Sequence, residues 1–224
     1  MFEFHSINST AYDNRNSPTT GKYWLIKTFE VLKGIQDDVV LDGTVYLDET
    51  YFTKVRSKLV TKDGKKLRGI SRNKIGVGVA CNETTSIFIV TGTSKPSRKS
   101  TKETYSQHIA RGSVLVHDDE HSHSILIEEL ELESIVYPTK ETKGSSDKDN
   151  PLYPVNNLHL LLKQFIRNHG AYDREHLQDW LNLFWFIMNE PKDKYDKVLK
   201  FIEMAVFSPK KVRYRDAMSS KHCK

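Results

Sequence analysis

The sequence predicts an α/β fold: a mixed β-sheet of about five strands flanked by helices, with further helices toward the C-terminal end. After a short N-terminal helix come three extended segments, then helical and extended patterns alternate, and helical periodicity dominates from Val155 onward. That order is typical of a sheet with helices packed on it. The chain has 224 residues and is 38% apolar, which is enough to bury one substantial core.

The strand predictions rest on short runs of β-branched, aromatic and other apolar residues bounded by polar turns. The Asp-Gly pair at Asp63–Gly64 favours a tight hairpin turn between the first two strands. The predicted strands are Thr44–Phe52, Lys74–Asn82, Ser86–Thr93, Ser113–Asp118 and Ser134–Thr139.

The helix predictions rest on apolar periodicity and on candidate caps. Thr101 is the predicted cap of a helix that opens the segment 101–110, and the segment 141–151 is a polar loop. The other predicted helices are Tyr23–Lys33, Ser122–Leu132, Val155–Gly170 and Arg174–Asn189. We divide the chain into an N-terminal segment (1–40), a central domain (41–190) and a basic C-terminal extension (191–224).

Several classes of protein are disfavoured by composition. The chain has no run of 18 apolar residues, so no membrane partner is predicted. Its first residues lack the basic and apolar regions of a secretory signal. The two cysteines, Cys81 and Cys223, are far apart and form no zinc-binding pattern. We therefore expect a cytoplasmic protein.

Positive charge is concentrated in two segments. Lys54–Lys74 carries nine Lys or Arg against one Asp, and the residues from Ser208 onward carry six against one. Two such segments indicate a polyanionic partner, although each alone is also compatible with a solvated loop. The candidate residues for contact with such a partner are Lys54, Arg56, Lys65, Lys66, Arg68, Arg72, Lys74 and Arg167.

Two acids lie on or directly after predicted central strands. Asp48 is in the middle of Thr44–Phe52, and Asp118 follows the apolar run Val114–Val116. A buried carboxylate is costly without a partner, so each acid pairs either with Lys or Arg or with a metal ion. Asp119 is an alternative to Asp118.

The helix that starts near Val155 has one polar face. At 100° per residue, Asn156, His159, Lys163 and Arg167 lie within about 80° of each other. A solvated helix face is the simple alternative, but such faces usually mix acids with bases, and this one has no acid.

These motifs resemble a group of prokaryotic insertion-sequence transposases. DETYF, RGISRNKIGVGVA, GSVLVHDDEHSH, PVNNLHLLLKQFIRNHG and LQDWLNLFWF occur in the same order there. The resemblance covers roughly Tyr23–Asn189 and implies a DDE-type enzyme with a ribonuclease-H-like core. In this branch Asn often replaces the third acid and is followed seven residues later by Lys, which matches Asn156 and Lys163.

The resemblance implies a catalytic set of Asp48, Asp118, Asn156 and Lys163. Asp48, Asp118 and Asn156 would be metal ligands, with His159 as the alternative third ligand. Two Mg²⁺ or Mn²⁺ ions are the expected cofactors, because hard cations take oxygen ligands and a two-ion site drives in-line displacement at phosphorus. The Asp48 and Asp118 carboxylates are then expected within about 6 Å of each other.

The resemblance also implies double-stranded DNA partners, a homo-oligomer in the active complex and association with the nucleoid. Relatives usually begin with a DNA-recognition region, and we expect that region to be lost here. A catalytically weak DNA-binding remnant and another ribonuclease-H-like nuclease are the alternatives.

Zinc is disfavoured at the sequence level. His117, His121 and His123 match no usual structural zinc spacing, and no cysteine is near them.

Overall fold

The computed structural model describes residues 5–53, 63–65, 69–70, 74–138, 149–169, 176–189, 191–208 and 210–219. These residues form two compact units, one of residues 36–161 and one of residues 1–35 with 162–224. None of the helices described is long and apolar enough to cross a membrane.

Residues 36–161 are built on a five-stranded sheet. Its strands are β1 (Thr44–Thr53), β2 (Lys74–Cys81), β3 (Ser86–Thr93), β4 (Val114–His117) and β5 (Glu133–Val136). Their spatial order is β3-β2-β1-β4-β5. The first three strands are antiparallel, and β4 and β5 run parallel to β1. This is the order and direction of a ribonuclease-H-like sheet, so the predicted fold class is confirmed.

Helices and turns connect these strands. They are α3 (Arg98–Tyr105), a 3₁₀ turn (His121–His123) and α4 (Ser124–Leu130), and α5 (Tyr153–Asn168) starts in the same unit. Side chains from β1, β4, α3 and α4 share one buried core, which includes Leu47, Leu115, Tyr105 and Leu126. The burial of these apolar side chains stabilises the centre of the sheet, where β1 and β4 pair.

Residues 1–35 and 162–224 form a helical unit. Its helices are α1 (Ile7–Asp13), α2 (Pro18–Leu32), the end of α5, α6 (Leu177–Met188), α7 (Lys194–Phe207) and α8 (Tyr214–Ser219). Its core is aromatic: the Trp180 ring packs edge-on to Phe29 at 5.1 Å, and Phe184 and Phe186 are fully buried. The predicted domain boundaries stay a prediction.

Two helix starts differ from the sequence predictions. The α2 helix begins at Pro18 rather than Tyr23, because the Ser17 side chain accepts the Thr20 N–H and Pro suits a first turn. The α3 helix begins at Arg98 with Ser97 as its cap, so Thr101 is a buried helical residue and not the cap. In both cases a serine outside the apolar pattern sets the boundary. The α1 helix, capped by Ser6, was not predicted.

Candidate active site

The predicted acids occupy matching positions on two parallel strands. In the β1–β4 register Leu47 pairs with His117. Asp48 is the next residue after Leu47, and Asp118 is the next residue after His117. Neighbouring strands lie about 5 Å apart, which brings the two acids to the same end of the sheet centre. Both side chains are partly buried, with 24% of Asp48 and 28% of Asp118 exposed.

The electrostatics of the pair are unfavourable for two carboxylates. The pKa of Asp48 is raised from 3.8 to about 7, first by burial and then by the negative charges of Asp118 and Glu49. The backbone N–H of Glu49 donates to Asp48 Oδ1 at 2.8 Å and offsets part of this. Burial also raises the pKa of Asp118. The ionised form of Asp48 is therefore unfavourable in this environment.

Helix α5 contributes a histidine to the pair. The buried His159 Nδ1 lies 3.7 Å from Asp48 Oδ2. Asn156, one turn earlier on α5, is partly buried. Lys163 and Arg167 are exposed on the same helix. The structure thus gives the alternative third ligand, His159, a direct contact with Asp48, and the role of Asn156 stays a prediction.

The candidate DNA-binding residues are only partly described. Lys65 is exposed, and Lys74 donates from Nζ to Thr53 Oγ1 at 2.7 Å. The others in the first basic segment, Lys54, Arg56, Lys66, Arg68 and Arg72, lie outside the described residues, as do residues 141–148 of the predicted polar loop 141–151.

A buried polar network that the sequence did not reveal lies beside the acid pair. Glu49 Oε1 accepts the Tyr105 hydroxyl at 3.0 Å and lies 3.2 Å from His123 Nε2. His123 Nδ1 is 3.1 Å from His117 Nδ1, and His117 Nε2 is 3.1 Å from Ser134 Oγ. The sequence signal for Glu49 is the two-residue period of a strand, which places Glu49 on the same face as the apolar Leu47.

The network shifts the pKa values of His123 and His117 in opposite directions. Burial lowers the pKa of His123, but the hydrogen bond and charge of Glu49, with Asp118 and Asp48, outweigh it and raise that pKa overall. Burial and the charge of His123 lower the pKa of His117 to about 4. A neutral His117 ring can accept an N–H from His123 at Nδ1 while it donates from Nε2 to Ser134.

A further ion pair lies beyond the 3₁₀ turn. Lys95 Nζ is 2.8 Å from Glu120, whose side chain also accepts the Ser122 N–H. The hydrogen bond to Glu120 raises the pKa of Lys95, and the charges of Glu120, Asp118 and Glu49 add to this effect. Lys95 is a cation near the acids that the sequence motifs did not single out.

No protein-family model matches this chain, and no curated protein is similar to it in sequence. Solved structures do show similarity. A Mos1 transposase catalytic domain with raltegravir and Mn matches at 12% identity and a TM-score of 0.42, over 86% of this chain and 96% of that one.

Two larger assemblies are similar over different lengths. A pre-cleavage Mos1 transpososome matches at 11% identity and a TM-score of 0.39, over 92% of this chain and 75% of that one. A simian T-cell lymphotropic virus intasome, bound to a PP2A regulatory subunit, matches at 8% identity and a TM-score of 0.39. The chain covers 48% of that intasome chain, and 65% of this chain is aligned.

Proposed function

We propose that this chain is the catalytic core of an insertion-sequence DNA transposase of the branch with Asn in place of the third acid. It would cleave and join phosphodiester bonds in a reaction that depends on divalent metal ions. The observation that carries the proposal is the pair Asp48 and Asp118, two partly buried acids that directly follow the last register pair of the neighbouring parallel strands β1 and β4 in a ribonuclease-H-like sheet.

The donor set fits divalent cations. The carboxylates of Asp48 and Asp118 offer hard oxygen ligands of the kind that Mg²⁺ and Mn²⁺ take. The pKa of Asp48, raised to about 7 by burial and by Asp118, marks a place where a cation would relieve an unfavourable charge arrangement. His159 or Asn156 would complete the set, and an imidazole suits Mn²⁺ better than Mg²⁺. Two bound ions would activate the attacking oxygen and stabilise the leaving one.

The chain's own residues have separate tasks in this proposal. Asp48 and Asp118 hold their positions because the core beneath β1 and β4 is closely packed. The Glu49 N–H fixes one oxygen of Asp48, and the Glu120 N–H fixes Oδ1 of Asp118 at 3.1 Å. Lys163 would contact a DNA phosphate or offset the negative charge that develops there.

Double-stranded DNA is the proposed substrate. The exposed cations Lys65, Lys163 and Arg167 would contact phosphates together with the basic segment around Lys54–Lys74. Replacing three of these cations by Gln should reduce the slope of log affinity against log salt by about 3. An unchanged slope would show that they are solvated surface residues.

The decisive experiment is strand transfer by the full chain. Precut element ends, identified from the inverted repeats that flank the gene, are incubated with plasmid DNA in Mg²⁺ or Mn²⁺. Asp48→Asn and Asp118→Asn should lower the rate at least about 1,000-fold. Both should leave DNA affinity similar or higher, because each removes a negative charge near the phosphates.

Asp119→Asn is the matched control. Asp119 is adjacent to Asp118 in sequence but its side chain is exposed, so its loss should leave strand transfer within about twofold of the unmodified chain. Loss of transfer in Asp119→Asn with retention in Asp118→Asn would reverse the assignment. Metal-dependent hydrolysis without preference for element ends would instead identify a different nuclease, and DNA binding without any cleavage would identify an inactive remnant.

The third ligand requires its own pair of variants. Asn156→Ala and His159→Ala are assayed side by side in Mg²⁺ and in Mn²⁺. If Asn156 is the ligand, its loss abolishes transfer in both ions and Asn156→Asp restores some, since Asp again offers an oxygen. Full activity in Asn156→Ala, with loss in His159→Ala, would assign the role to His159, which contacts Asp48 directly.

A further inference from the structure

His117, His123 and Asp118 bring three ligand atoms together beside the proposed catalytic pair. One ligand atom from each side chain lies within 4.8 Å of the other two. Among the described residues, these three form the group of His, Cys, Asp or Glu side chains that is close enough to hold a metal ion. The two Nδ1 atoms are 3.1 Å apart, and His123 Nδ1 is 4.0 Å from Asp118 Oδ1. Two nitrogens that bind one ion at about 2.1 Å can be separated by such a distance.

The outward nitrogens of both rings are already held by polar partners. His123 Nε2 lies 3.2 Å from the Glu49 carboxylate, which the Tyr105 hydroxyl also holds, and His117 Nε2 lies 3.1 Å from Ser134 Oγ. Histidines that bind metal ions usually donate their other N–H to a carboxylate, carbonyl or water, because this fixes the tautomer and aims the ring. Here both Nε2 atoms are held in this way, and the two Nδ1 atoms face each other close to Asp118.

We propose that His117, His123 and Asp118 bind a single transition-metal ion of the zinc class. Two imidazoles and one carboxylate are a common ligand set for such ions, and three protein ligands leave a position for water. The sequence disfavoured zinc because spacing along the chain was the only signal available. The partners that hold the two rings, Glu49 and Ser134, come from β1 and β5, so only the folded chain brings them to the histidines.

This site differs from the proposed magnesium site in face and in chemistry. Glu49 and Asp48 are consecutive residues of β1, so their side chains leave opposite faces of the sheet. The histidine pair lies with Glu49, whereas His159 lies with Asp48. Imidazole nitrogens favour zinc, whereas carboxylate oxygens favour Mg²⁺.

The hydrogen bond between the two imidazole rings and the binding of a metal ion exclude each other. One Nδ1 carries the proton that makes the 3.1 Å contact. When an ion binds, that proton leaves to water and both Nδ1 lone pairs point to the metal. Asp118 belongs to both sites, so zinc bound here would withdraw it from the catalytic pair and inhibit strand transfer. That consequence alone rests on the proposed function.

The test measures binding without DNA. The full chain, carrying His222→Gln and Cys223→Ser to remove two adjacent side chains that can each bind zinc, is titrated with Zn²⁺ by calorimetry and with Co²⁺ by visible absorption. We expect one site. His117→Gln and His123→Gln should each weaken binding at least about 100-fold. Glu49→Gln should weaken it about 10- to 100-fold.

Asp48→Asn and His159→Gln are the matched controls, since each removes a group of the other site. Both should leave the Co²⁺ spectrum and the zinc affinity unchanged. Loss of binding in these controls, or unchanged binding in His117→Gln, would overturn the proposal. X-ray absorption of the zinc-loaded chain gives a reading that needs no substitution: two imidazole ligands are expected, and none would overturn it. Strand transfer in Mg²⁺ is a separate measurement, so either proposal can fail alone.

Discussion

Asp48 and Glu49 are consecutive acids on the central strand, and they meet opposite environments. Glu49 is almost fully buried, at 4% exposure, and is held by Tyr105 and His123. Asp48 is 24% exposed, faces another acid and has its pKa raised to about 7. One face of the sheet thus neutralises its carboxylate with protein groups, while the other leaves a carboxylate whose ionised form is unfavourable. A carboxylate of the second kind is suited to bind a cation from solution.

The largest expected effect is on the pH dependence of stability in metal-free protein. The folded pKa of Asp48 is about 7 against 3.8 when unfolded, so between these pH values the folded chain holds a proton that the unfolded chain has lost. The free energy of unfolding should therefore fall as pH rises from about 4 to 7, by up to about 4 kcal/mol. Asp48→Asn removes this loss.

The measurement is urea denaturation of both chains from pH 4 to pH 8 in EDTA. Groups that titrate identically cancel in the difference, so Asp48→Asn should be the more stable chain at pH 8 and nearly equal at pH 4. Adding Mg²⁺ should narrow the gap at pH 8 if Asp48 binds it. A flat difference curve would mean that Asp48 is ionised at low cost, and the contrast with Glu49 would disappear.

Glu49→Gln should have the opposite sign at pH 8. The substitution keeps the size of the side chain but removes the charge that faces His123, and we expect a loss of about 2 to 3 kcal/mol of unfolding free energy. The matched control is Glu128→Gln. Glu128 pairs with Arg98 at 2.7 Å but is 61% exposed, so its loss should cost at most about 0.5 kcal/mol. Equal losses would show that burial does not distinguish the two pairs.

The sequence predicted the sheet well because each strand is encoded by a short local run of β-branched, aromatic and other apolar residues. The run Thr44–Phe52 differs from β1 by one residue, and the Val114–His117 strand lies within the predicted segment. The acids Asp48 and Asp118 were recognisable because a carboxylate stands out within or directly after an apolar strand. Helix starts were less predictable, since Ser17 and Ser97 act through single hydrogen bonds that leave no periodicity.

The Glu49 network was beyond the reach of sequence for a different reason. Glu49 contacts His123 and Tyr105, which are separated from it by 74 and 56 positions in the sequence. No local pattern indicates which loop returns to which strand. The same limit applied to His159. The helical period placed it on a polar face, but only the fold buries it against Asp48.

The smallest expected effect comes from a glycine that makes room for the network. Gly78 of β2 lies opposite Glu49 in the strand register. A Cβ there would be 2.0 Å from the Tyr105 hydroxyl oxygen and 2.6 Å from its Cζ. Tyr105 is fully buried and can shift only by disturbing its neighbours, so Gly78→Ala should push its hydroxyl from Glu49 and cost about 2 kcal/mol of unfolding free energy.

Gly76→Ala, on the same strand, is the control for this substitution. A Cβ at Gly76 would be 2.5 Å from Thr91 Oγ1, but Thr91 is only partly buried and can rotate about χ1, so we expect a loss below about 1 kcal/mol. Tyr105→Phe should not rescue Gly78→Ala, because the ring carbon would still lie too close. Urea denaturation of the three single variants and the double variant decides this. If Gly78→Ala costs no more than Gly76→Ala, Tyr105 moves easily, and the face that carries Glu49 is less rigid than its contacts indicate.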